Sequence, residues 1–220
     1  MSAKTKRERL NSDRIVEGAL LLADDVGMDA FTIRRLASAL GVGPMTIYHY
    51  FPNKEAIIDA MVDAVYAQIA LPPTDQEWTD AIRVRCISAR EALNRHPWAP
   101  PYMVSRTSPG PATLGHHDAL LGCLRRGGLS LQMTAHAYAI LDSFLHGFAL
   151  EEASLPASGG EEVQEIAEEM TAAFDVERYP SLVEFATGHV MRPGYNFSAS
   201  FEFGLNLIID GLDSASKRSA

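Results

Sequence analysis

The chain has 220 residues, 47% of them hydrophobic and 21% charged, with 28 acidic against 19 basic side chains and a formal net charge of −9. That composition excludes a disordered chain, and the length is ample for one large domain or two modest ones. Cys86 and Cys123 make no CxxC pair, no stretch approaches the roughly 20 apolar residues of a membrane span, and the basic N-terminus lacks the apolar run of a signal peptide, so the expectation is a soluble cytoplasmic protein with no membrane partner. The charge is unevenly spread. Residues 1–55 hold 8 basic and 7 acidic side chains, a net of +1, and residues 56–220 hold 11 and 21, a net of −10. A near-neutral head with a basic arm (Lys4, Lys6, Arg7, Arg9) on an acidic body suggests two parts with different partners.

In chain order, Asn11 or Ser12 can cap a first helix carrying Ile15, Ala19, Leu22, Ala23 and Val26 on one face, with Gly27 ending it. Thr32 caps a second helix with Leu36, Ala37 and Leu40 inward and Gly41 as its stop. Gly43 and Pro44 open a short third helix, since a proline at the first helical position loses no hydrogen bond. Asn53 caps a fourth, expected over 54–71, with Ile58, Met61, Val62, Val65 and Ile69 as its stripe and Pro72-Pro73 closing it. Further helices are expected near 76–94, 111–126, 130–153, 161–174 and 198–213, separated by Pro and Gly breakers. No run alternates as a strand does. The fold class is all-α: an N-terminal helix-turn-helix domain, residues 1–55, and a larger helical domain, residues 56–220, joined by the fourth helix.

Residues 30–55 carry the most information. Two short helices around Gly41-Val42-Gly43 form a helix-turn-helix pattern, with Ala37 small enough for a close crossing and Val42 and Ile47 locking it. Met45, Thr46, Tyr48, His49 and Tyr50 are not needed by that core and suit a face laid in the major groove. Together with Arg14-Ile15, Ala19, Phe31-Thr32-Ile33-Arg34-Arg35-Leu36-Ala37, Leu40-Gly41-Val42, Thr46-Ile47-Tyr48-His49-Tyr50-Phe51 and Asn53-Lys54, this stretch resembles the N-terminal domain of the tetracycline-repressor (TetR) family. The resemblance implies phosphate contacts at Thr32, Tyr48 and Lys54, base-edge contacts at Arg34, Pro44, Met45 and Thr46, and a bracing position at His49. Arg34 can fork onto a guanine, and the methyls of Met45 and Thr46 suit a thymine methyl. Pro44 and Met45 depart from the pattern, because neither side chain reads a base by hydrogen bonds, so the operator sequence does not carry over.

The body resembles the C-terminal domain of tetracycline repressors through Trp78, Leu93, Arg95-His96-Pro97-Trp98, Pro109-Gly110-Pro111, Gly128-Leu129-Ser130, Gly147 and Leu150-Glu151-Glu152. That implies an inducer pocket and a homodimer built from the 130–153 and 198–213 helices. The residues agree: Met133, Ala137, Ile140, Leu141, Phe144 and Phe148 make one stripe. Phe201, Leu205, Ile208 and Leu212 make another, and Phe203, Leu207 and Ile209 leave further faces of the last helix apolar. The magnesium-ligand histidine implied by the resemblance falls near Met103, a thioether that a hard cation shuns, and Ala70, Arg85, Ala89 and Leu120 replace other polar drug contacts. The expected effector is therefore hydrophobic, in a pocket lined by Trp98, Tyr102, Met103, Leu120, Leu121, Ile140, Leu141 and Phe144, with His117 as a polar group. Arg85 is expected to pair internally, with an acid such as Asp118 or Glu151, rather than to hold ligand. His116 and His117 point about 100° apart on a helix, and His136 and His146 are ten residues apart, so no metal or other cofactor is expected. No pattern for an enzyme is present. The reading is a homodimeric, effector-responsive transcriptional repressor on a palindromic operator. An activator or constitutive DNA-binding regulator is the alternative, with a helical binding protein that has lost DNA binding behind it.

Overall fold

The computed structural model describes residues 9–155 and 175–219, together with Val163, Glu165, Ile166, Glu168 and Glu169 of the segment between. Apart from those five positions, the helix expected over 161–174 lies outside the described residues, as do Lys4, Lys6 and Arg7. Every regular element among the described residues is helical: α1 (Ser12–Ala30), α2 (Ile33–Leu40), α3 (Pro44–Tyr48), α4 (Lys54–Tyr66), α5 (Trp78–Arg95), α6 (Ala99–Ser105), α7 (Pro111–Arg126), α8 (Leu131–Ser154), α9 (Pro180–Phe185), a π-helical turn (Ala186–Val190) and α10 (Ala199–Ser219). Two compact units result, residues 1–138 and residues 139–220.

The caps of α1, α2 and α4 follow from side chains three residues ahead of a free amide. Asn11 accepts from the Arg14 amide at 2.9 Å, Thr32 from Arg35 at 3.2 Å and Asn53 from Ala56 at 2.8 Å. Gly41 closes α2 in the left-handed region (φ 66°), which a side chain resists. Gly27 (φ 73°) breaks α1 as expected, but a further turn continues to Ala30 beyond the kink.

Three expectations change in this unit. α4 ends at Tyr66 rather than 71, and Ile69 is buried from the following turn. No helix is expected between 94 and 111, where His96-Pro97-Trp98 and Pro109-Gly110-Pro111 act as breakers, but α6 forms there with Pro100 and Pro101 in its first turn. Its first-turn amides need no helical partner, so prolines there cost nothing. Leu121, expected in a pocket, is 39% exposed, whereas Leu120, about 100° around α7, is fully buried.

α4 is the hub of the first unit. Ile57, Ile58, Met61, Val62, Val65 and Tyr66 are all buried. Its acidic edge is also engaged. Arg106, at the end of α6, donates to Asp59 (2.5 Å), to the Glu55 carboxylate (2.6 Å) and to the Glu55 carbonyl (2.9 Å). Asp63 accepts from the Thr113 amide and hydroxyl, both at 2.8 Å, and from the Ala112 amide at 3.3 Å. It thereby caps α7, whose own N-cap, Gly110, has no side chain to do so. A Cβ on Gly110 would lie 2.3 Å from the Asp63 carboxyl carbon, so the approach requires glycine.

In the second unit, Phe144 stacks on Phe201 (5.4 Å between centroids), and Phe148 packs on Phe197 (4.8 Å) and Phe201 (5.2 Å). Gly204 makes room for the Phe144 ring, which a Cβ there would meet at 2.8 Å. The buried row of α10 is Phe201, Leu205, Ile209 and Leu212. Ile209 thus replaces the expected Ile208, because successive i, i+4 steps keep it on the inner face. Ile140, expected inside, is 46% exposed. It lies a full 100° from Leu141, which is buried along with Leu145 and Phe148.

Replacing Asp63 by Ala should cost about 1 kcal/mol through loss of the α7 cap. For a chain of this length that lowers Tm by roughly 2–4 °C. Asp63→Asn, which keeps an acceptor oxygen, should recover most of the loss in thermal denaturation followed by circular dichroism.

Candidate nucleic-acid interface

α3 is only 5 residues long, and it is held from behind. Ile47 is fully buried, and the Val42 amide reaches back to the Ala37 carbonyl at 2.9 Å, so the turn between α2 and α3 is pinned to a buried alanine. With one side so anchored, the other faces solvent: Pro44, Met45 (70% exposed), Tyr48 (43%) and His49 are exposed and Thr46 is half-buried. Arg34 is exposed on α2.

Two of the expected phosphate residues also hold the frame. Thr32 caps α2 through its hydroxyl oxygen, which leaves its O–H free to donate outward. Lys54 donates to the Phe31 carbonyl at 2.9 Å and sits over the Phe31 ring at 5.4 Å. Its ammonium therefore lies beside the start of α2 and at the first residue of α4, where unpaired amides already favour an anion. Tyr50 braces the other edge, donating from its hydroxyl to the Leu10 carbonyl at 2.8 Å.

The remaining predicted residues fall into separate places. Met103 and His117 line one cleft of about 170 Å³ with Asp59, Val62, Tyr66 and Arg106. Trp98 and Tyr102 line another, of about 490 Å³, with Val26, Gly27, Met28 and Pro101. Both clefts belong to the first unit and use different faces of α6. His117 Nδ1 lies 3.0 Å from the Tyr138 hydroxyl, and its ring packs edge-on against Tyr66. Arg85 is 2% exposed, with Nη1 4.0 Å from Cys86 Sγ. Ile140, Leu141 and Phe144 belong to the second unit, described above. Burial pushes the Cys123 thiol up, against a smaller downward pull from Arg126, as befits a packing residue.

This unit also holds a polar cluster that no sequence motif announces. The Asp24 carboxylate on α1 accepts from Trp98 Nε1 at 2.7 Å and from His96 Nδ1 at 2.9 Å, and His96 Nε2 lies 2.9 Å from the Gln68 amide nitrogen. Its hydrogen-bonded partners are 28 to 74 residues apart, so no local spacing signals the bonds.

A short helix presented behind a tight glycine turn, with its exposed face polar, aromatic and unneeded for packing, is the reading helix of a DNA-binding helix-turn-helix protein. Residues 15–61 match the family described as bacterial regulatory proteins, tetR family, and residues 71–215 match the tetracyclin repressor-like C-terminal domain. The chain belongs to the TetR family. It is 28% identical to the HTH-type transcriptional repressor DrrR1 of Streptomyces coeruleorubidus, over 93% of this chain and 77% of that protein. It is 30% identical to the class A tetracycline repressor of transposon 1721 from Escherichia coli, over 93% and 91%. Among solved structures it resembles the Streptomyces coelicolor TetR family protein ActR in complex with actinorhodin, with a TM-score of 0.80, 28% identity and coverage of 97% and 100%. The protein is a ligand-responsive DNA-binding repressor, and no helix among the described residues is long and apolar enough to cross a membrane.

Substituting Lys54 by Met removes both the Phe31 carbonyl contact and the charge. The partly exposed bond should be worth about 1 kcal/mol of stability, measured as a lower urea midpoint at unchanged slope.

Proposed function

We propose that two copies of the chain bind a palindromic operator, each laying α3 in one major groove with half-sites about one helical turn or somewhat more apart. The observation that carries this reading is the exposed Met45 and Tyr48 face backed by buried Ile47. Residues 1–55 form the reader and 56–220 the body. Thr32, Tyr48 and Lys54 meet phosphates, Arg34, Pro44, Met45 and Thr46 meet base edges, and His49 braces the backbone. Support for a homodimer comes from Phe203 and Leu207, one turn apart on α10 and 68% and 58% exposed, an apolar pair that a second copy would cover.

The effector in this reading is a small hydrophobic molecule admitted beside Met103 and His117. ActR, crystallised with actinorhodin, is the precedent for a ligand in a relative. The cleft of about 170 Å³ is smaller than the roughly 300–1,000 Å³ of drug-sized sites, so admission requires α6 or α7 to give way. Displacing α6 strains the Arg106 contacts to Glu55 and Asp59, which transmits ligand binding to α4 and so to the reader. Non-enzymatic action in the cytoplasm, where the DNA is, completes the proposal.

A duplex selected by the protein from a randomised pool should be an inverted repeat. On that duplex Arg34→Ala should weaken binding by about 1–3 kcal/mol, concentrated at one base position. The dependence of log affinity on log salt should correspond to fewer than about ten neutralised phosphates per dimer, and a steeper slope sinks the assigned surface. Phe203→Glu with Leu207→Glu should yield monomers in sedimentation velocity and lose the inverted repeat's cooperative binding.

A further inference from the structure

A carboxylate on α1 ties the reader to the corner between α5 and α6. Asp24 belongs to α1, and its side chain is 26% exposed, whereas the His96 side chain facing it is 8% exposed. It accepts from two donors, Trp98 Nε1 at 2.7 Å and His96 Nδ1 at 2.9 and 3.0 Å, which flank Pro97. Proline fixes one backbone angle between them, and the Ala99 amide closes the turn on the His96 carbonyl at 2.9 Å, so the two donors are presented as a rigid pair. The far nitrogen of His96 meets Gln68, just past the end of α4. One hydrogen-bonded chain thus runs from α1, through the corner between α5 and α6, to the exit of α4.

The setting gives this chain mechanical weight. Three residues beyond Asp24, α1 kinks at Gly27, and beside it lies the open cleft of about 490 Å³ between the end of α1 and α6. Apolar contact there is incomplete, so the polar contacts at the cleft's edge bear directly on how α1 meets α6. A carboxylate holding two neutral or charged N–H donors is directional in a way that apolar packing is not.

We propose that Asp24 is a positioning residue for operator recognition, setting through Trp98 and His96 the angle of the reader and hence the half-site spacing the dimer accepts. This rests on the dimeric reading above. One inserted base pair displaces a half-site by about 3.4 Å and rotates it by about 35°, so a firmly held pair of readers discriminates between spacings and a loosened pair does not. Asp24 touches no DNA in this scheme, and the number of phosphates neutralised does not change with its removal.

The test uses the full chain and the selected inverted-repeat duplex, with none, one or two base pairs added at its centre. Binding is read by fluorescence anisotropy. The parent should lose about tenfold or more in affinity per misplaced pair, within the range of operator discrimination, and Asp24→Ala less than about threefold, at an unchanged salt slope. Trp98→Phe, which keeps the packing and loses the N–H, should flatten the spacing profile in the same direction, and the double variant should be no flatter than Asp24→Ala alone. Asp24→Asn should restore discrimination, since its oxygen still accepts from Trp98 and its amide can donate to the other tautomer of His96. A variant that is merely less folded loses affinity equally on every spacing, and that result overturns the proposal. So does a parent-like profile in Asp24→Ala and Trp98→Phe. A parent indifferent to spacing overturns this inference and the dimeric reading together, whereas a discriminating parent with unaltered variants overturns this inference alone.

Discussion

Everything in the first unit depends on α4 being buried on its apolar side and engaged along its acidic one. Glu55, Asp59 and Asp63 recur every four residues, so they form one edge of the helix. The first two take the Arg106 guanidinium and the third takes the amides that open α7. A helix with six buried residues and an engaged acidic edge has little freedom to move independently of α6 and α7. Its first residue, Lys54, is bonded to the chain just before α2. The same short helix thus joins the helix-turn-helix to the helices that line the cleft beside Met103 and His117.

The charge distribution acquires a structural explanation as well. Part of the acidic excess of residues 56–220 is consumed inside the fold, as cap and ion-pair acceptors on α4. Residues 1–55 carry a formal charge of only +1, so the proposed operator contacts lean on hydroxyls, helix starts and shape as much as on cations. Thr32 and Lys54 each hold the frame, through the α2 cap and the Phe31 carbonyl, and are also proposed phosphate contacts.

The readable features were those whose physics is local. Asn11, Thr32 and Asn53 each cap a helix through an amide three residues on, and Gly41 stops α2 by a backbone angle of its own. The helix-turn-helix and its exposed face follow from such signals, and so does the resemblance to the TetR family. α6 is not legible because His96-Pro97-Trp98 and Pro109-Gly110-Pro111 punctuate the chain on either side and leave only a short segment between them. The sequence places the pocket residues on one wall, but exposure separates Leu120 from Leu121 and Leu141 from Ile140, which only helix rotation decides. Ile208 and Ile209 differ in the same way.

The amino-acid order by itself determined the all-α class, the order of the main helices, the reading head and the family, because each rests on interactions within about one helical turn or on a contiguous motif. Tertiary structure alone decided which acids of α4 cap α7 and grip Arg106, and that Asp24 joins His96 and Trp98. Those partners are 47 to 74 residues distant, and a hydrogen bond across such a separation depends on where the intervening helices bring its donors. No spacing rule in the chain encodes that placement.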